Sequence, residues 1–248
     1  MLDAINADRK ANGLAAVAWD DVAASAGQAH AEEMLVNGYF SHLNLAGYGP
    51  EHRYALAGGL DAVAENVYQY WHRYVDGRPV PITDWNALIR KAEAGLMNSP
   101  GHRRNILDPF HTHVGVGIAY DAQKGELRLV QEFVNRWVRL EPLPQRLAVG
   151  ATVTVTGVLL PGATDPVINL AYQAVPTPVS AKNVPTGTYS SPAEFYQAIK
   201  PDSTGERFAS QIRLGKDEQK GLYSVRVWVK VAGQRVLAAE SIVWIDEN

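Results

Sequence analysis

The chain has 248 residues, 46% of them hydrophobic and 20% charged, with a formal net charge of −3. That is ordinary globular composition, long enough for two cores, and it lacks the basic excess that nucleic acid or an anionic membrane would attract. No cysteine is present, which removes disulfide and thiolate chemistry, and no apolar run approaches the length of a membrane span.

Met1 to Ile5 pass straight into a helical pattern, with no basic segment or cleavage site of a signal peptide. Residues 1–12 are predicted as a helix, with Leu2, Ala4 and Ile5 on one side and Gly13 as its stop. Asp20 or Asp21 can cap a second helix running to about Val36, because a short carboxylate accepts the free amides of a first turn. Asn37-Gly38 supplies the left-handed position that ends it. Residues 51–58 read as a short helix stopped by Gly58-Gly59, and residues 64–70 as a strand. Asp84 caps a helix over residues 85–97, which Pro100-Gly101 breaks, placing His102 in a turn. Residues 114–120 and 127–135 alternate as two antiparallel strands.

The segment 139–147 contains Pro142 and Pro144 and has no helical period, so it is expected to be a linker. Beyond it the pattern changes to two-residue alternation. Thr152-Val153-Thr154-Val155-Thr156 is one such run, residues 221–231 a second, and residues 236–245 supply a last strand. Residues 148–248 are therefore expected to form an antiparallel β-sandwich, with a short helix at 191–199 and with Trp228 and Trp244 in its core.

Three polar residues stand beside apolar neighbours that should be packed. They are His42 in Tyr39-Phe40-Ser41-His42, Glu65 in Ala64-Glu65-Asn66-Val67, and His102 in Asn98-Ser99-Pro100-Gly101-His102-Arg103-Arg104-Asn105. Two imidazoles and a carboxylate meeting in one cavity could hold a divalent metal or move protons. With Ile5-Asn6-Ala7-Asp8-Arg9, Ala29-His30-Ala31-Glu32-Glu33-Met34, Val114-Gly115-Val116-Gly117 and Val130-Gln131-Glu132-Phe133, these fragments resemble the CAP superfamily. That superfamily holds the cysteine-rich secretory, antigen-five and pathogenesis-related proteins, also called SCP domains, and the similarity is to its cysteine-free bacterial branch. The resemblance implies an α+β fold, an α-β-α sandwich over residues 1–138. The alternating strands that follow resemble exported immunoglobulin-like or fibronectin-like modules, a likeness of fold that names no ligand. Export is also implied, so the protein is expected to be secreted or in the cell envelope, with its export signal upstream of this sequence. A cytosolic protein is the alternative.

In the family a cavity is lined by two histidines and two acids. The resemblance carries the first histidine to His42, the acid before asparagine to Glu65, and the second histidine to His102. The remaining acid falls at Gly47 and is missing, with Glu51 and His52 as candidates to replace it. Leu96 stands where the family often has tryptophan. The His42, Glu65, His102 set suits zinc or another divalent cation, since imidazole nitrogen and carboxylate oxygen are borderline-hard donors and a fourth position stays open for water. A compact His-Glu-x-x-His motif is absent. The structural alternative is a buried network in which the three side chains hydrogen-bond one another.

No nucleophile stands out. Ser41 and Ser99 lie near histidines but lack a third orienting group, and the Ser99 hydroxyl suits a turn. Asn66 is expected to bond backbone. His30 is expected on a solvated or capped helix face. His111 and His113 alternate at strand spacing near the His102 segment. His72 lies in an aromatic cluster that could be a sugar or lipid platform or a loop with its own small core. The leading expectation is a non-enzymatic, exported module that binds a small molecule, lipid, glycan or protein. A zinc-dependent hydrolase and a structural envelope or adhesion protein are the alternatives.

Overall fold

The computed structural model describes residues 1–246. They form two compact units that interleave along the chain. The first comprises Met1–Ala57, Val63–Val134 and Pro178–Tyr189; the second comprises Gly58–Ala62, Asn135–Thr177 and the residues from Ser190 onward. Among the described residues no helix is long and apolar enough to cross a membrane.

The first unit runs α1 (Leu2–Ala11), β1 (Ala18–Trp19), α2 (Asp21–Asn37), α3 (Pro50–Leu56), β2 (Ala62–Trp71), α4 (Trp85–Met97), α5 (Pro100–Ile106), β3 (His113–Asp121) and β4 (Glu126–Asn135). Two carboxylates start its main helices. Asp20 accepts the Ala23 amide at 2.7 Å and Asp84 accepts the Ala87 amide at 3.0 Å. Gly38, at φ 68, closes α2 in the left-handed conformation. His102 lies within α5, whereas the sequence pointed to a turn. Pro100 occupies the start of that helix, where its missing amide costs nothing, so the proline that ends α4 also begins α5. Ser99 precedes it without a side-chain capping bond.

The sheet order is β1-β3-β4-β2, with β3 and β4 antiparallel and β1 parallel to β3. Alternation along β4 divides the unit into layers. Leu127, Leu129 and Phe133 pack with Ile5, Leu88, Leu96 and Ile106 from α1, α4 and α5. Val130 packs with Ala31 and Met34 of α2. The Gly115-Val116-Gly117 run has a steric reason: a Cβ at either glycine would enter the α2 backbone at Ala23–Ala24 or Gly27–Gln28. Helix α2 therefore lies directly on β3, and helices cover both sheet faces, as an α-β-α sandwich requires.

Apart from one short 3-10 turn at Lys216–Glu218, the regular structure of the second unit is strand: β5 (Val138–Leu140), β6 (Arg146–Ala148), β7 (Thr152–Leu159), β8 (Ala163–Gln173), β9 (Glu194–Ile199), β10 (Asp202–Thr204), β11 (Arg207–Arg213), β12 (Gly221–Val231) and β13 (Gln234–Asp246). They form a four-stranded sheet, β10-β11-β7-β5, and a five-stranded sheet, β6-β13-β12-β8-β9. The unit is β-sandwich-like. Val153 and Val155 are buried on β7 while Thr152 and Thr154 are exposed. Ala232 and Gly233, at φ 48 and φ 80, make the two-residue turn that fixes the β12–β13 register, as primed hairpin turns require.

Two expectations change here. Residues 194–199 are strand, not helix, because they complete the edge of β8 from Tyr172↔Glu194 to Ile168↔Ile199. Trp228 and Trp244 are half-buried rather than core, since Val225, Val227, Val229 and Val243 take the buried face that alternates with them. Residues 138–140 and 146–148, within or beside the expected linker, pair with β7 and β13.

Candidate functional site

The site begins with the alternation of β2. Glu65 and Val67 face the layer of α2 and α3, and Asn66 faces that of α4 and α5. Helix α2 ends at Gly38, and the irregular chain after it carries His42. Inside that loop Asn44 accepts the Tyr48 amide at 2.8 Å, and Gly47 takes φ 82. A side chain at 47 would be strained in this turn, so glycine suits the position at which the resemblance led one to expect an acid.

His42 and Glu65 meet directly, His42 Nδ1 to Glu65 Oε1 at 2.7 Å. The second oxygen of Glu65 accepts from Arg53 Nη2 of α3 at 2.5 Å. Arg53 also donates through Nη1 to the carbonyls of His42 at 2.7 Å and Tyr48 at 3.0 Å, so one guanidinium fixes both the carboxylate and the loop. Glu132, fully buried on β4, lies 3.5 Å from the same Nη2. Burial would raise the Glu65 carboxyl, but Arg53 and the His42 hydrogen bond outweigh it and hold the group down to about 2. Burial, and then the neighbouring Glu65 carboxylate, push Glu132 well above the usual range, so Glu132 keeps its proton.

His102 stands on α5, half-buried. Burial and the field of His42 lower its pKa. Its carbonyl accepts from Asn66 Nδ2 at 3.1 Å. Asn66 also donates to Gln131 at 3.0 Å and accepts from Asn105 Nδ2 at 3.0 Å; Asn105 reaches the Glu65 carbonyl at 3.1 Å. Asn66 thus bonds backbone, as expected, and joins side chains as well. Gln131 continues the chain to Glu93 Oε2 at 2.6 Å. Burial raises the Glu93 carboxyl to about 7.

His42 and Glu65 are therefore in contact, and His102 is coupled to His42 through its field. Among the described residues no three His, Cys, Asp or Glu side chains stand grouped as the donors of a metal ion. Glu51 and His52 do approach the site. Both are buried, and Glu51 bears on the charges of Arg53 and Glu132. His52 stacks on Tyr48 with ring centroids 5.5 Å apart.

His30 departs from its expected solvated face. It is buried, with Nε2 2.8 Å from the Ser41 carbonyl, because the small residues of α2 turn that side of the helix onto the sheet. Burial lowers its pKa to about 4, with Arg53 adding in the same direction. His111 stacks on Phe133 at 5.0 Å, on the sheet face opposite Glu65, and His113 pairs with Thr112 at 2.9 Å. In the aromatic stretch at 70–74, Trp71 and Tyr74 are exposed, while Tyr70 is half-buried against the core under α4 with its ring 6.1 Å from that of His72. Ser41 donates to the Pro185 carbonyl and accepts the Leu43 amide at 3.0 Å, so its hydroxyl is engaged.

Arg53 and Glu132 were not singled out in the sequence, although both left a signal. Glu132 follows Gln131 between Val130 and Phe133-Val134, two adjacent polar residues among apolar ones, and Arg53 follows the Glu51-His52 pair.

Residues 2–134 match the cysteine-rich secretory protein family, CAP. An uncharacterized membrane protein of Bacillus subtilis strain 168, YlbC, is 32% identical over 139 residues, which is 55% of this chain and 34% of that protein. A second uncharacterized protein of that strain, YkwD, is 28% identical over 119 residues, 47% of this chain and 40% of its own length. The chain thus spans well under half the length of these curated relatives. A crystal structure of an extracellular SCP-domain protein from Bacillus anthracis strain Ames shares 27% identity, with a TM-score of 0.42 over 54% of this chain and 39% of that one. An outer surface protein of Borrelia burgdorferi shares 17%, with a TM-score of 0.44 over 54% of this chain and 89% of its own. The matched span carries His42, Arg53, Glu65, His102 and Glu132, and by that match this chain belongs to the cysteine-rich secretory protein (CAP) family, in a form without cysteine.

Proposed function

We propose that this chain is a non-enzymatic binding module whose ligand is received at the His42, Glu65 and His102 site of its CAP unit. One observation carries this. The Glu65 oxygens accept from His42 and from Arg53, which hold its pKa down to about 2, so the carboxylate at the centre of the site is too weak a base to take a proton readily from water. Glu132, the other buried acid, is held protonated by burial, so neither carboxyl is placed as the general base of a hydrolase. The module acts outside the cytosol, secreted or in the cell envelope, as the descriptions of its relatives support.

Zinc or another divalent cation remains a proposed ligand. The donor set favours His42 and His102 as the two imidazoles, with Glu65 behind His42, where a carboxylate on the other ring nitrogen fixes the tautomer. Direct ligation by Glu65 would require it to give up His42 or Arg53. The alternating strands of the second unit are proposed to be an immunoglobulin-like or fibronectin-like module.

Zinc titration by calorimetry on metal-stripped protein, with His42→Ala and His102→Ala, tests the site. Binding that weakens at least tenfold in each variant, with no hydrolysis of ester or peptide substrates by the zinc-loaded protein, is expected. Turnover that both variants abolish would replace the binding module with an enzyme.

A further inference from the structure

Between β8 and β9 the chain runs without helix or strand over residues 174–193. Irregular stretches of this length inside compact folds are uncommon and usually functional or disordered. Residues 178–189 of this one belong to the first unit. Val184 is only 7% exposed and packs with Ala31, Met34, Tyr39 and Val67. Three polar contacts hold the rest. The Val179 amide donates to the Leu45 carbonyl at 2.8 Å. Ser41 Oγ donates to the Pro185 carbonyl. The Tyr189 hydroxyl donates to Glu51 Oε1 at 2.6 Å, and its ring centroid lies 6.3 Å from that of His42.

Gly49 fits this arrangement. Its φ of −81 and ψ of −179 are open to any residue. A Cβ there would meet the Tyr189 hydroxyl, so the glycine leaves room for the tyrosine rather than for a backbone conformation.

These are the contacts of a bound peptide: a buried apolar anchor with Val179 and Ala181 packed beside it, hydrogen bonds to its backbone on either side, and an aromatic hydroxyl on a carboxylate at the far end. Pro178 and Pro185 restrict the segment before it binds, which lowers the entropy lost on binding. Residues 185–188, between the anchor and Tyr189, are exposed, so the tyrosine end can lift while Val184 stays seated.

Resting on the binding-module function, we propose that the groove beside His42, formed by residues 41–51, is a peptide-binding site and that residues 178–189 are its tethered occupant. The ligand class is a proline-containing segment that makes a turn just before a small branched anchor and carries a tyrosine five residues on, as in Ser180 to Val184 and Tyr189. A short tether gives its occupant an effective concentration of the order of millimolar, so a free peptide has to outcompete it.

The test is anisotropy with a fluorescein-labelled peptide of residues 178–189. It is titrated into the full chain, into Tyr189→Ala and into Val184→Ser, with folding checked by circular dichroism. The loosened chains are expected to bind at least tenfold more tightly than the unaltered chain. Folded Tyr189→Ala binding no tighter than the unaltered chain would overturn the proposal. Tyr189 is half-buried, so this variant decides alone should Val184→Ser not fold. Zinc binding that depends on His42, with no gain in peptide affinity, would sink the peptide site and leave the binding module standing. A gain in peptide affinity without zinc binding would support the peptide site and sink only the cation.

Discussion

Arg53 Nη2 lies 2.5 Å from Glu65 Oε2, on the carboxylate edge that His42 leaves free. That single contact decides how two buried carboxyls share one cation. Glu65 takes the charge and Glu132 keeps the proton, because two carboxylates cannot both ionise beside one guanidinium without a large penalty. Arg53→Ala would leave Glu65 buried without its cation, held only by His42. A loss of about 3–5 kcal/mol is expected in urea unfolding, with Arg53→Ala/Glu65→Leu less damaged than the single variant. A loss below about 1 kcal/mol in Arg53→Ala would mean that water, not Arg53, satisfies Glu65.

The His30 ring is neutral in the fold and titrates near 4, against 6.5 in an open chain. A depressed folded pKa contributes stability above the unfolded value and loses it as pH falls towards the folded one. The His30 contribution should therefore be lost between pH 6.5 and 4, and it amounts to on the order of 3 kcal/mol. The Glu65 contribution is lost only below the usual carboxylate range, towards pH 2. Urea midpoints of the unaltered protein and of His30→Gln, compared between pH 7 and 4, isolate this loss from the opposite effect of the raised carboxyls Glu93 and Glu132, and His30→Gln should fall less steeply. An unchanged slope in that variant would remove His30 as the cause.

Glu93 acts in the opposite sense. Its folded pKa is raised to about 7, so its contribution is complete below the usual carboxylate range and is lost as pH rises through 7. Glu93→Gln keeps an amide to face Gln131. It should match the unaltered protein at pH 4 and exceed it by on the order of 3 kcal/mol at pH 8, since the side chain is 2% exposed. Equal stabilities at pH 8 would show that the carboxyl ionises without cost.

Gly49→Ala should displace Tyr189 while leaving α3 intact, because the backbone angles there suit alanine. Hydrogen exchange read by mass spectrometry would then speed up at least tenfold over residues 178–189 and stay constant over β3 and β4. Unchanged exchange in the segment would mean that Val184 and the bonds to Leu45 and Ser41 hold it without the tyrosine.

Zinc affinity, where present, should fall as pH drops below about 6.5, since a protonated imidazole cannot ligate. Calorimetry between pH 5 and 8 checks it, and flat binding across that range would exclude both His42 and His102 as ligands.

Much of the first unit is legible in the sequence, because Asp20, Gly38, Asp84 and the Val114–Gly117 alternation each impose one local geometry. His42 and Glu65 could be paired only through the family resemblance, being distant along the chain. Arg53 and His30 escaped because charged or polar residues on short or small-residue helices look solvated until the packing partner is known. The helix expected at 191–199 failed for a related reason: Phe195, Tyr196 and Ile199 fit a helical spacing, but β8 offered an open edge. Nothing local marks Val184 or Tyr189, whose partners lie far back in the chain; the Tyr189 to Glu51 bond closes a loop of 138 residues.

The placement of residues 178–189 also governs when the first unit can be finished during synthesis. The ribosome completes the family-matched span at Val134, and an N-terminal unit would ordinarily fold as it emerges. Here Ala31, Met34 and Val67 wait for Val184, which is not yet translated. At roughly 5–20 residues per second the delay is a few seconds. For that time a nascent chain shows an apolar opening beside His42, which a chaperone, or the segment of a neighbouring nascent chain, could reach first.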